Sequence, residues 1–145
     1  MFHELSHASH YAKVGPAFWL PYVEYIYAHG GYGEAAFPNS GIIGMSEAWA
    51  EDLSNFGLFY TYHKQKYLEN NETPAIDFIP YGVYHDLQDD GTNEAFDNVS
   101  NITFPQLYNV FSSDLRSVAD YKAKLKAAFP AQQAAIDILY AHYGY

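Results

Sequence analysis

Signals that end helices cut this chain into segments of helical length, and that punctuation limits its fold more than any other feature. Residues 2–13 contain neither Pro nor Gly and read as a first helix. Val14-Gly15-Pro16 is a stop followed by a restart, because Gly tolerates the turn past a helix end and Pro suits the first turn of the next helix. A second helix is expected over 16–29, with Trp19, Val23 and Ile26 at helical spacing and Tyr22 beside them. Pro21 falls in its first turns, where the lost N–H costs least. Gly30-Gly31 ends it, and a loop over 32–44 carries the turn residues Pro38, Asn39, Ser40 and Gly41. The next helix starts at Ser46 or slightly earlier and runs to about Tyr67, with Trp49, Leu53, Phe56 and Tyr60 as its buried stripe. Residues 69–74 are polar and break the pattern, 78–87 fit either a strand or a helix with helix favoured over 81–87, and 88–100 read as an acidic, Asn-rich loop. Thr103 and Pro105 open a helix to about Ser112. Ser117 with Asp120 marks the start of another, ending near Phe129-Pro130, and a last helix spans 131–143. The fold class expected is mostly α, one domain over residues 1–145 with about seven helices.

Composition narrows what such a bundle can do. An apolar fraction of 49% excludes a disordered tail, and the length suffices to bury a core. The net charge of −10, with only seven basic residues, argues against nucleic acid and anionic membrane surfaces as partners. Three of those basic residues (Lys122, Lys124 and Lys126) crowd one segment that reads as a solvated helix face. There is no cysteine, so any metal must be held by His, Asp or Glu. No apolar run reaches the roughly 18 residues of a membrane-spanning helix.

His3-Glu4-Leu5-Ser6-His7 is an H-E-x-x-H motif. Residues four apart on a helix stand about 6 Å apart along the axis and nearly on one face, so two imidazoles can converge on one ion. Zinc takes imidazole nitrogen readily and, with three protein ligands, keeps a position for water. Glu4, next to the first ligand, is placed to take that water's proton and pass it to a leaving amine. A second acidic motif follows, Gly44-Met45-Ser46-Glu47-Ala48-Trp49-Ala50-Glu51-Asp52. Glu47 and Glu51 are one turn apart on one face; Glu47 is the expected third ligand, and Glu51 the acceptor that holds a ligand histidine through its other ring nitrogen.

Together, His3-Glu4-Leu5-Ser6-His7 and Ser46-Glu47-Ala48-Trp49-Ala50-Glu51 resemble the gluzincin metallopeptidases, the clan of thermolysin and the zinc aminopeptidases. The resemblance covers residues 3–7 and 44–52. It implies His3, His7 and Glu47 as zinc ligands, Glu4 as catalytic base, Glu51 as support for a ligand histidine, and a peptide or protein as substrate. Two departures accompany it. The stretch from 8 to 46 is longer than the corresponding gap in thermolysin, and the clan's small sheet ahead of the motif helix has no counterpart in the two residues before His3. The chain therefore reads as the C-terminal part of a larger peptidase whose N-terminal portion is missing. Export from a bacterial cell is the localisation that the clan's habits imply.

Other residues compete for roles. His10 shares a stripe with His3 and His7 but lies about 10.5 Å along the axis from His3, too far for one tetrahedral ion; a polar contact or a place in the cleft is expected instead. A donor to the developing oxyanion is sought among Tyr81, Tyr84 and His85, against the alternative of a packed helix. Asp86, Asp89, Asp90, Asn93 and Asp97 do not have the spacing of a calcium loop and read as a solvated acidic loop. The function expected is a zinc-dependent peptidase. The alternative is a helical metal-binding or interaction module, derived from a metallopeptidase, without catalysis.

Overall fold

The computed structural model describes residues 1–62, 78–89 and 95–145. Seven α-helices are formed among them, and no strand: α1 (Phe2–Val14), α2 (Pro16–His29), α3 (Ser40–Tyr62), α4 (Val83–Asp86), α5 (Phe104–Val110), α6 (Val118–Ala128) and α7 (Gln133–His142), with a 3-10 turn over Pro130–Gln132 ahead of α7. The mostly α expectation holds.

Local chemistry accounts for most of the boundaries. Gly15 ends α1 with φ +69, and its N–H donates to the Tyr11 carbonyl before Pro16 opens α2. Gly30, at φ +68, closes α2 in the left-handed conformation that Gly adopts at least cost. Thr103 and Gln106 form a reciprocal box at the start of α5. At α6 the Asp120 N–H donates to Ser117 Oγ, and the Asp120 carboxylate reaches back to the Arg116 N–H.

The long helix α3 is the axis of the molecule. Residues 42–50 are buried without interruption, because α1, α2, α4 and α6 all pack against this helix. A helix enclosed on every side needs apolar or paired residues all round rather than on one stripe. It begins at Ser40, several residues before the expected start. Gly41, read from sequence as a turn residue, and Gly44, the expected end of the loop, are packing positions inside it. A Cβ on Gly41 would stand 2.8 Å from the Ser117 Cα, and one on Gly44 would stand 3.1 Å from the Phe78 carbonyl oxygen.

Two expected faces are corrected. In α2 the inward residues are Phe18, Tyr22 and Tyr25, while Val23 points out at 56% exposure. In α3 Trp49 is buried, but Phe56 and Tyr60 are exposed. Phe56 makes ring contacts with Tyr60 and Phe104 at the margin of the core. The expected extension of this helix to Tyr67 and the polar break at 69–74 lie outside the described residues.

α1 runs antiparallel to α3. Phe2 lies against Gly57, where a Cβ would approach its ring to 2.9 Å, and His3 faces Glu51 and Glu47. This pairing brings the two sequence motifs together.

Candidate metal centre

Three side chains converge where α1 crosses α3. His3 Nε2 and His7 Nε2 are 3.1 Å apart. His3 Nε2 lies 3.2 Å from Glu47 Oε2, and His7 Nε2 lies 3.4 Å from Glu47 Oε1. Among the described residues, His3, His7 and Glu47 are the group whose ligand atoms gather closely enough to hold a metal ion. A tetrahedral zinc with bonds of 2.0–2.1 Å sets its ligand atoms about 3.3 Å apart. The observed separations bracket that value, although the two histidines face different oxygens of the carboxylate. The donor set also fits. Two imidazole nitrogens and a carboxylate suit zinc, and two Nε2 atoms turned toward each other can share only a single proton without a cation between them.

The surroundings fix each donor. Glu51 Oε2 lies 3.6 Å from His3 Nδ1, on the far side of the ring from Glu47. The His7 ring is held by the edges of Trp19 and Tyr22, at centroid distances of 5.5 and 6.1 Å. Its Nδ1 is buried and has no hydrogen-bond partner among the described residues. Glu4 is exposed, on the first turn of α1.

Glu47 is only 1% exposed and is saturated with donors. Tyr22 Oη donates to Oε1, and Tyr32 Oη donates to Oε2 at 2.7 Å. Burial by itself would raise the Glu47 pKa; hydrogen bonds from His7, Tyr22 and Tyr32 outweigh it, and the carboxyl titrates below its ordinary value. Both phenols are shifted up, first by burial and then by the hydrogen bond and charge of Glu47. The charge of Glu4 adds a smaller upward contribution to both.

Neither Tyr22 nor Tyr32 was singled out by sequence reasoning. A usable signal existed for Tyr22. It lies at helical spacing from Phe18 and Tyr25, on what proves to be the inward face, and a buried phenol needs an acceptor. Tyr32 gave no such signal, being one of 15 tyrosines in a glycine-rich turn.

The remaining candidates fall elsewhere. Tyr84 is packed in the core against Trp49, Phe111 and Tyr121, which removes its hydroxyl from the cleft. His85, in the same short helix, is half-buried. Tyr81 is half-buried and packs against the core.

His10 occupies neither a polar contact nor the cleft. It is fully buried, boxed by Phe18, Trp19 and Phe111, with both ring nitrogens unpartnered. Burial, with His7 nearby, pushes it down to about 3, so the ring is neutral. The acidic loop is also less solvated than expected. Asp86 and Asp97 are buried; Asp86 accepts from Tyr143 Oη at 2.6 Å, and Asp97 accepts from the Val99 N–H at 3.0 Å. Asp90 and Asn93 lie outside the described residues.

No family model, no curated protein and no solved structure matches the chain. The site therefore rests on its own geometry.

Proposed function

We propose that this chain is a zinc-dependent peptidase domain, with His3, His7 and Glu47 as the metal-holding residues and Glu4 as the general base. The observation that carries this reading is the convergence of His3, His7 and Glu47 from two helices, whose ligand atoms all lie within 4.8 Å of one another. Zinc, when bound, would polarise a carbonyl and acidify water.

The chain's own residues supply the rest. Glu4, exposed beside His3, takes a proton from the attacking water and returns it to the departing amine. Glu51 fixes the His3 ring through Nδ1, leaving Nε2 free of its proton. The buried Glu47 stays ionised because three donors hold it so. Trp19 and Tyr22 restrict the His7 ring and keep bulk water from its inner edge.

The test uses protein purified without a polyhistidine tag. Zinc content near one equivalent, lost in His3→Ala and in Glu47→Ala, is the expected result. Hydrolysis of labelled casein should fall by about 10²–10⁴-fold in Glu4→Gln while the zinc remains. Stoichiometric zinc with no turnover in either form would instead establish a metal-binding module. No zinc at all would refute the site.

A further inference from the structure

Charge is divided unevenly over the bundle. Residues 1–62, which build α1–α3 and the metal centre, include six carboxylates and a single Lys or Arg, Lys13. Residues 104–145, which build α5–α7, include three carboxylates and four cations. Those four are tied locally. Lys122 and Lys126 pair with Asp137, Lys124 pairs with Asp114, and Arg116 donates to the carbonyls of Ala17, Ser113 and Leu115. Lys13 sits ten residues beyond His3, about 15 Å along the axis of α1, where Asn109 and the Tyr108 ring hold it. Lys64 and Lys66 lie outside the described residues.

Around the metal centre each bordering element supplies a carboxylate. Glu4 follows His3 on α1 and is exposed. Glu24 is exposed on α2, two residues from Tyr22, and Glu34 is exposed in the next turn, two residues from Tyr32. The hydroxyls of both tyrosines reach Glu47. Glu51, on α3, lies 3.6 Å from His3. Among the described residues, no Lys or Arg pairs with Glu4, Glu24 or Glu34. A dication held with Glu47 would leave a single positive charge, which the carboxylates of Glu4, Glu24, Glu34 and Glu51 outweigh. Exposed charges act over about 8 Å at physiological salt, and two residues of chain span at most about 7 Å. A molecule approaching His3 and His7 therefore crosses a negative field.

We propose, resting on the peptidase reading above, that the polypeptide this site takes is cationic, a chain with Lys or Arg flanking the bond to be cut, selected by the carboxylates of Glu4, Glu24, Glu34 and Glu51. Acidic chains are turned away by the same groups, because like charges brought together oppose binding. Focusing of this kind raises association rates by about 10–10³-fold and falls steeply with salt. The selection therefore belongs to kcat/KM and to binding at low ionic strength. It depends on where the carboxylates stand, since the α5–α7 half has its charges balanced within itself.

The experiment uses the full chain loaded with zinc and two fluorescein-labelled peptides that share one apolar core, flanked by lysines in one and by glutamates in the other. Anisotropy reads binding, and chromatography of the products reads hydrolysis. At about 10 mM salt, where charges act over about 30 Å, the lysine peptide should bind and be cut at least about tenfold better. At about 1 M salt, where that range shrinks to about 3 Å, the difference should fall to within about threefold. Glu24→Gln combined with Glu34→Gln should lower the low-salt preference by about threefold or more. Asp114→Asn combined with Asp137→Asn changes the net charge equally on the α5–α7 half and should leave the preference as in the parent. Equal handling of the two peptides, a preference for the glutamate peptide, or a preference indifferent to salt overturns the inference. An equal loss from the Asp114 and Asp137 pair also overturns it, by assigning the preference to net charge alone. Salt-sensitive binding of the lysine peptide, with hydrolysis of neither, defeats the peptidase reading but upholds the cation-selecting face.

Discussion

His10 shows how much one side chain's surroundings decide. It is one turn beyond His7 on the same helix, yet Phe18, Trp19 and Phe111 enclose it and leave both nitrogens without partners. An orphaned polar group in the interior costs about 1–3 kcal/mol. His10→Leu, which keeps an apolar filling, should therefore raise stability at pH 7 by about 1 kcal/mol, read from urea midpoints. The pH dependence has a definite sign. The folded-state pKa is lowered to about 3 from 6.5, so the unfolded chain binds the proton first and stability is lost as pH falls below 6.5. At pH 5 the parent should be weaker by about 2 kcal/mol from this source, a loss absent in His10→Leu. Asp52 acts in the opposite direction. It is buried against Gln88, with Asp86 and Glu51 nearby, and burial foremost pushes it up to about 7. A raised carboxyl pKa favours the fold at low pH and withdraws that support as pH rises from about 4 toward 7. Asp52→Asn, which still offers Gln88 an acceptor, should flatten this decline between pH 5 and pH 8 in the same urea titrations.

Close approach, more than propensity, governs how the helices meet. Gly41 lies within α3, where replacing Gly by Ala normally gains up to about 1 kcal/mol. Here the added Cβ would meet the Ser117 Cα at 2.8 Å, and a backbone atom at the head of α6 cannot turn aside as a side chain can. Overpacking of this kind costs about 1–3 kcal/mol, so the clash wins. Gly41→Ala should lower the urea midpoint and disturb α6 before α1, which hydrogen exchange of the α6 amides can resolve. The same logic explains why the start of α3 was misplaced from sequence. Gly and Ser between two helices look like a loop until the partner that requires their smallness is known. By contrast, the ends of α1, α2, α5 and α6 were legible, because their caps are made by residues within four positions of each helix end.

At the scale of the whole molecule, the proposed ion would tie α1 to α3 across the core. A ligand that binds only the folded chain stabilises it by about 2.7 kcal/mol at a hundred times its Kd. For a chain of 145 residues that corresponds to a Tm rise of about 5–10 °C. Calorimetry with zinc and with chelator should show this rise in the parent and its loss in Glu47→Ala. What the sequence determined by itself was short in range. It set the helical punctuation, the H-E-x-x-H pair on one helix face, and the Glu47–Glu51 pair on another, since each depends on residues a turn apart. Only the tertiary structure decided the rest. It chose which face of α2 turned inward, buried residues 42–50 of α3 on all sides, enclosed His10, and brought Tyr22 and Tyr32 onto Glu47 from 25 and 15 residues away. Those outcomes depend on the path of the chain between helices, where many similar tyrosines compete and local spacing does not discriminate among them.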